Sequence, residues 1–299
     1  MTTYPSPFRE DALAGHRILI TGGGSGLGAE MAVHLAEHGA EVHLWGRRES
    51  ALRATGERID ATAPGKAHLQ TVNIRDAEAV DAAMDELWQE YGPLTGLINN
   101  AAANFIAPTE SVTPNGFEAI TSTVMDGSFF TAHAAGRRWI DGGLPGTVVS
   151  TVTTWVWTGS AYVVPSAMAK SAVDAMTKSL AVEWAKYGIR LNAVAPGPFP
   201  TDFTWQVLGI DNPANALSSE AGMPMGRTGR MHELTNLVLF LVSDAADYVT
   251  GQTIAIDGGQ MFAGPGTFAS LSAMSDEDWK NARDAAKNAT AESKAQRSV

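Results

Sequence analysis

The sequence contains no cysteine, which excludes disulfide bonds, a thiolate nucleophile and any metal site with cysteine ligands. Basic residues are few: 21 Lys and Arg stand against 32 Asp and Glu, a formal net charge of −11. Because no basic stripe offsets this charge, we expect no binding to nucleic acid or an anionic membrane. The longest strongly apolar run, LVLFLV at 237–242, is too short to span a bilayer. The N-terminus lacks the basic segment and apolar core of a secretory signal, so we expect a cytoplasmic protein.

Short β-branched runs alternate with Ala-rich helical segments from residue 17 onward. Strands are expected at 17–21, 41–45, 68–74, 94–99, 146–151, 189–196 and 253–257. This alternation predicts an α/β fold, a single doubly wound parallel sheet with helices on both faces. Among the helices, long ones are expected at 116–140 and 165–187, and another at 231–243.

The segments outside this pattern suggest three accessory parts of the single domain, which we place at 15–261. Residues 1–14 are expected to form an N-terminal arm, and the loop-rich stretch 197–230 is expected to form a substrate lid. The polar tail 262–299 carries one helix start at SDEDW, where Ser275 can act as the cap.

A glycine-rich segment, TGGGSGLG at 21–28, follows the first strand and opens a helix. Glycines at 22, 26 and 28 permit a tight turn and a close backbone approach, and the helix start offers free N–H groups to a pyrophosphate. The placement at the first strand-to-helix turn makes this motif specific. The residues expected to bind the phosphates are Gly22, Ser25, Gly26, Leu27 and Gly28.

The end of the second strand reads WGRR. Gly46 stands where a chain that binds NAD carries an acidic residue for the ribose hydroxyls, and Arg47 and Arg48 stand beside it. A guanidinium favours the 2′-phosphate of NADP, and the missing acid removes a repulsion. The sequence therefore favours NADP, while NAD stays possible and the arginines could instead be solvated charges.

Five motifs together resemble the short-chain dehydrogenase/reductase family over about residues 15–260: TGGGSGLG, NNAA at 99–102, a lysine after the fifth strand, APGP at 195–198 and IDGG at 256–259. The resemblance implies a Rossmann fold and an NAD(P)-dependent oxidoreductase. It also implies a set of further cofactor contacts, namely Asn73 and Ile74 at the adenine, Asn100 and Ala101 at the ribose, and Pro196, Gly197 and Pro198 near the nicotinamide.

The family's catalytic set is Ser, Tyr and Lys. The resemblance aligns Lys170 with the lysine, which would hold the nicotinamide ribose, and Thr153 with the serine. Ser166 stands at the tyrosine position, in PSAMAK. An aliphatic hydroxyl is far less acidic than a phenol, so it cannot simply replace tyrosine as a proton donor or acceptor.

One branch of the family, the 2,4-dienoyl-CoA and enoyl-CoA reductases, normally carries Ser and Lys at these two positions. Segments such as NNAAANFIAPTE and SLAVEWAKYGIRLNAVAPGP resemble this branch. Its tyrosine and asparagine, which hold the thioester oxygen or donate the proton, correspond here to Trp155 and Asp126. An indole cannot act as an acid, whereas a buried carboxyl with a raised pKa can.

These positions lead to a main hypothesis: an NADPH-dependent reductase of an activated C=C bond, with an enoyl- or dienoyl-CoA-like substrate. Lys170, Ser166, Asp126 and Thr153 would be catalytic, and Trp155 and Tyr162 would bind substrate, with Tyr162 also a possible replacement acid. A carbonyl or alcohol oxidoreductase and a cofactor-binding pseudoenzyme are the alternatives. The histidines show no metal-ligand spacing, so no metal is expected, and the apolar helices favour a homotetramer or homodimer.

Overall fold

The computed structural model describes residues 6–201 and 223–263, together with Ser275, Glu277, Asp278, Lys280 and Asn281. Within these ranges all the strands join one sheet, in which every pair of neighbours runs parallel. The order is β3-β2-β1-β4-β5-β6-β7. The strands are β1 Arg17–Thr21, β2 Glu41–Gly46, β3 Ala67–Thr71, β4 Gly96–Asn99, β5 Gly146–Thr151, β6 Ile189–Pro196 and β7 Thr253–Ile256.

Helices cover both faces of this sheet, which confirms the predicted doubly wound fold. They are α1 Gly26–Glu37, α2 Glu49–Asp60, α3 Ala77–Tyr91, α4 Pro114–Thr121, α5 Gly127–Gly142, α6 Trp155–Thr158, α7 Val164–Glu183, α8 Met231–Val242 and α9 Gln260–Ala263. None of the described helices is long and apolar enough to cross a membrane.

Two buried clusters hold the layers together. One lies between the sheet and helices α1 and α8, and includes Ile18, Leu35 and Leu239. The other lies on the opposite face, where α3, α5 and α7 pack, and includes Leu97 and Trp139. The sheet reverses its order between β1 and β4, so a crevice opens at the carboxyl ends of these two strands.

The predicted long helix at 116–140 is interrupted. Helix α4 ends at Thr121, the segment Ser122–Asp126 forms a π-helical turn, and α5 begins at Gly127. A π turn inserts one residue into the helical pattern and so rotates the side chains beyond it by about 100° relative to an uninterrupted helix. This change of phase decides which side chains of the segment face the crevice.

Smaller differences from the sequence prediction concern element ends and the accessory parts. Strand β3 ends at Thr71 rather than 74, so the next residues leave the sheet. In the predicted arm, Leu13 is fully buried. Residues 202–222 of the predicted lid and most of the tail lie outside the described residues. Ser275 does act as a cap, since its Oγ accepts a hydrogen bond from the backbone N–H of Asp278 at 3.2 Å.

Candidate active site

The main cavity, of about 760 Å³, lies at the carboxyl edge of the sheet. Its wall includes segments that follow all seven strands, such as Gly22–Leu27 after β1, Pro196–Phe199 at the end of β6 and Gln260 after β7. Open parallel sheets bind their ligands at this place, because the loops diverge where the strand order reverses. The cavity is therefore the candidate cofactor and substrate site.

The backbone of the glycine-rich loop packs so closely that a side chain at Gly22 or Gly28 would clash with it or with its neighbours. Gly22 has φ +69°, and a Cβ there would lie 2.9 Å from the Cα of Ala101. A Cβ on Gly28 would lie 2.3 Å from the carbonyl oxygen of Gly22. Gly28 does not itself line the cavity but permits the close turn that does. The loop leads into the N-terminus of α1, whose first N–H groups suit a phosphate.

The adenosine end of the cavity is strongly cationic. Arg47, Arg48 and Arg75 line it, and Arg48 Nη2 donates a hydrogen bond to Ser25 Oγ at 3.2 Å. Gly46 supplies no acid, and a Cβ there would already lie 3.3 Å from Leu52 Cδ2. No aspartate or glutamate is among the described residues that line the cavity. This charge arrangement suits a ligand with several phosphates.

In the middle of the cavity, hydrogen bonds between side chains and backbone hold the ends of β1 and β4 together. The hydroxyl of Thr21 accepts hydrogen bonds from the backbone N–H groups of Asn100, at 3.0 Å, and Ala101, at 3.1 Å. Asn100 Nδ2 donates to the carbonyl oxygen of Thr21 at 3.2 Å. The further cofactor-binding residues expected from the sequence all line this cavity, namely Asn73, Ile74, Asn100, Ala101, Pro196, Gly197 and Pro198.

Lys170 lines the inner end of the cavity and is only 6% exposed. Its Nζ donates a hydrogen bond to the backbone carbonyl oxygen of Thr151 at the end of β5. Burial lowers the pKa of Lys170 to about 8. At neutral pH the ammonium form still predominates, but it can release a proton far more readily than an exposed lysine.

Thr153 and Trp155 line the same cavity as Lys170. The hydroxyl of Thr153 is buried and has no hydrogen-bond partner among the described residues. A buried hydroxyl without a partner is costly, and a bound ligand with an oxygen atom relieves that cost. Trp155 begins the short helix α6, which packs against α7. Its neighbour Trp157 is exposed and does not line the cavity.

Three residues expected in the site are placed elsewhere. Asp126, the last residue of the π turn, lines a separate cavity of about 300 Å³ with Phe129 and Val173, whereas Thr123 of the same turn lines the main cavity. Tyr162 is 60% exposed, at a left-handed backbone position with φ +64°, and does not line the cavity. Ser166 is buried one helical turn before Lys170 but stays outside the cavity wall.

Several lining residues were missed from the sequence. Arg75 follows β3 closely, and a basic residue after a strand end is a signal that could have indicated it. Thr154 lies next to a predicted site residue. Thr123 carries no such signal, since it lies inside the π turn, away from any recognisable motif. Gln260 comes directly after the IDGG motif, at the start of α9.

The shape and the charges of the cavity suit a nicotinamide dinucleotide. The glycine-rich loop excludes side chains where a pyrophosphate would pass, and three arginines provide positive charge at one end. At the other end lie a buried ammonium group and a hydroxyl without a partner among the described residues. These features match an anionic, extended ligand with a polar head group.

Comparisons with known proteins agree with this geometry. A family profile described as enoyl-(acyl carrier protein) reductase matches residues 22–261. A probable 2,4-dienoyl-CoA reductase of Bacillus subtilis is 41% identical over 244 residues, which cover 81% of this chain and 95% of the relative.

Two solved structures are similar as well. A short-chain dehydrogenase from Bacillus anthracis is 36% identical, with a TM-score of 0.75 over 82% of this chain and 96% of its own. A gluconate 5-dehydrogenase from Burkholderia cenocepacia, solved with NADP and tartrate, is 32% identical, with a TM-score of 0.78 over 85% of this chain and 98% of its own. The chain therefore belongs to the short-chain dehydrogenase/reductase family and is an NAD(P)-dependent oxidoreductase.

Proposed function

We propose that this oxidoreductase uses NADPH to reduce an activated C=C bond in an enoyl- or dienoyl-CoA-like substrate. The observation that carries the proposal is the chemistry of the cavity wall. No tyrosine, histidine, aspartate or glutamate is among its described residues. The phenol that the family normally uses as the base in alcohol oxidation is replaced by a buried serine outside the wall, which leaves Lys170 as the described lining residue that can exchange a proton near neutral pH.

Reduction of a conjugated thioester makes different demands on the protein. A bound reduced nicotinamide supplies the hydride, after which negative charge develops on the thioester oxygen. The wall must then offer hydrogen-bond donors first and one proton second. Thr153, whose buried hydroxyl has no partner among the described residues, would donate a hydrogen bond to that oxygen. A single donor of this kind is typically worth about 100-fold or more in kcat.

Lys170 would hold the nicotinamide ribose, add positive potential and supply the proton to the carbon next to the thioester. Its pKa of about 8 suits this last task, because a donor with a pKa close to the operating pH transfers protons efficiently. This assignment replaces Ser166 and Asp126 in the role of proton donor, since neither lines the main cavity. Trp155 would form an apolar wall beside the conjugated chain.

The preference for NADPH rests on charge. Arg47 and Arg48 line the cavity beside Gly46, so no acidic side chain there opposes a 2′-phosphate. The similarity to a gluconate 5-dehydrogenase solved with NADP supports this choice of cofactor. The similarity to a probable 2,4-dienoyl-CoA reductase supports the choice of substrate.

Steady-state oxidation of NADPH tests the proposal. The purified full-length protein is assayed with a 2,4-dienoyl-CoA, an enoyl-CoA, a simple enone and a simple ketone, and NADH is compared at matched concentrations. We expect the highest kcat/KM for one of the thioesters with NADPH. A protein that reduces ketones or oxidises alcohols efficiently, and acts on no conjugated alkene, is instead a carbonyl or alcohol oxidoreductase.

We also propose that the chain acts as a homodimer or homotetramer. Helices α5 and α7 expose Phe129, Met168 and Val182 at 48%, 54% and 81%. Exposed apolar side chains on two neighbouring helices suit a surface that another subunit covers. Light scattering after size-exclusion chromatography measures the oligomeric state directly, and a monomer at micromolar concentration would contradict the proposal.

A further inference from the structure

A second cluster of titratable side chains lies at the amino edge of the sheet, opposite the main cavity. Glu41 and His43 lie on β2 with one residue between them, so both point to the same face. His68 on β3 is the register partner of His43. We call Glu41, His43 and His68 the β2–β3 cluster. The sequence places the two histidines 25 positions apart, so only the pairing of these strands brings them together.

The distances within the cluster suit a metal ion. Nε2 of His68 lies 3.1 Å from Glu41 Oε1, and Nε2 of His43 lies 3.6 Å from the same oxygen. Donor atoms of a tetrahedral zinc site, at bonds of about 2.1 Å, are separated by about 3.4 Å. One donor atom from each of the three residues can be chosen so that all lie within 4.8 Å of one another.

One ligand atom in the cluster lacks a hydrogen-bond partner among the described residues. His43 is 3% exposed, and its buried Nε2 makes no hydrogen bond to them. A neutral imidazole offers one ring nitrogen with a lone pair, which is the form that binds metals. Burying that nitrogen without a partner costs stability unless something binds it.

The surroundings hold these ligands in place. Arg17 Nη2 donates to Glu41 Oε2 at 3.2 Å, which leaves Oε1 facing both imidazoles. The ring of Tyr91 packs against both imidazoles, with centroids 4.1 Å from His68 and 4.9 Å from His43.

We propose that the β2–β3 cluster binds one divalent transition-metal ion of the zinc type, through two imidazole nitrogens and one carboxylate oxygen. Glu41 and His68 are about one quarter exposed, at 26% and 25% of their side chains, so ions can enter and water can complete the coordination. The ion joins β2 to β3, the edge strand of the sheet. Because it binds the folded chain, it stabilises that chain increasingly as its concentration rises.

The nearby charge of Arg17 shapes the choice of metal. It disfavours cations that bind mainly through charge, such as Mg²⁺ or Ca²⁺, whose preferred ligands are oxygens. Imidazole ligands instead favour Zn²⁺, Co²⁺ or Ni²⁺. The site lies at the edge of the sheet opposite the main cavity, so its role is structural and does not depend on the proposed reductase activity.

Calorimetric titration of Zn²⁺ into the EDTA-treated full-length protein tests this site. The unmodified protein is expected to bind one equivalent, and Co²⁺ is expected to give visible absorption bands of a low-coordinate site. His68→Ala and Glu41→Gln each remove one partly exposed ligand. We expect either change to weaken Zn²⁺ binding by about 100-fold or more, given that loss of an outer-shell partner alone costs about 10–100-fold.

Thermal unfolding gives a second readout. Zn²⁺ should raise the melting temperature of the unmodified protein and of the control His133→Ala, which removes an exposed histidine on α5. It should not raise that of His68→Ala or Glu41→Gln, whose circular dichroism spectra verify that they fold. Absence of saturable binding overturns the proposal. Binding that both variants retain unchanged also overturns it, because the ion then occupies another site.

Discussion

At the scale of single residues, Lys170 is the group on which the proposed chemistry depends most. It is buried, lines the cavity and has its pKa lowered by burial to about 8. If its ammonium group supplies the proton, kcat/KM is high below about pH 8 and falls as the pH rises through that value, since the deprotonated amine cannot donate. A pH–rate profile of the full-length enzyme with a dienoyl thioester measures this dependence.

The variant Lys170→Arg separates the two roles of the lysine. A guanidinium keeps the positive charge but does not release a proton below a pH of about 12. We expect the variant to bind NADPH, as measured by fluorescence, but to lose kcat by about 100-fold or more and to show no fall near pH 8. Lys170→Ala should lose turnover and cofactor binding together. A Lys170→Arg enzyme with nearly full kcat would show that charge alone suffices.

The arginines beside Gly46 give the second prediction. Replacement of Arg47 or Arg48 by Ala should remove most of the preference for NADPH over NADH, because each could form a charge-assisted contact with the 2′-phosphate. Such a loss corresponds to about a 10- to 100-fold weaker affinity. Arg53→Ala is the matched control, since Arg53 lies on α2, the helix that begins directly after Arg48, but pairs with Glu49 outside the cavity. Equal affinity of the unmodified protein for both cofactors would rule out this assignment.

At the scale of elements, the helical segment from Pro114 to Gly142 determines which side chains reach the substrate. Within its π turn, Thr123 lines the main cavity and Asp126 lines the smaller one. We therefore expect Asp126→Asn to change kcat on an enoyl thioester by less than about twofold, far below the loss caused by removal of a general acid. A loss of about 100-fold or more would mean that Asp126 reaches the reacting atoms after all.

The contrast between elements shows how much could be predicted from the sequence. The positions of the strands along the chain were predictable from hydrophobic periodicity, which is a local signal. The glycine-rich loop was predictable from its place after β1. The π turn could not be predicted, because one inserted residue leaves the composition of a helix unchanged. The β2–β3 cluster could not be predicted either, since strand register joins residues that are distant in the chain.

The two halves of the candidate site also differ in how far the sequence predicts them. Its cofactor half depends on backbone geometry that glycines and strand ends indicate in the sequence, and the predicted cofactor residues line the cavity, except that Gly28 supports the loop from behind. Its catalytic half depends on side-chain direction. Tyr162 and Ser166 lie near Lys170 in the sequence, yet one is exposed to solvent and the other packs inside the protein.

At the scale of the whole molecule, the tail 262–299 is the part whose role remains a proposal. It comes after the IDGG motif, where the family's common core ends, and carries the helix start that Ser275 caps. We propose that it packs on a neighbouring subunit or over the substrate mouth. Truncation after Gly264 should then change either the oligomer size, measured by light scattering, or the KM for the substrate. If neither changes, the tail is a solvated appendage.

The central claim is that the reduced bond is a C=C bond, and isotope transfer tests it most directly. The full-length enzyme is incubated with a 2,4-dienoyl-CoA and NADPH that carries deuterium at the transferable C4 position, and the product is analysed by NMR and mass spectrometry. The account predicts one deuterium on a carbon of the former diene and an intact thioester. Deuterium at a carbinol carbon, or no transfer to the diene while a ketone is reduced with label, would contradict it.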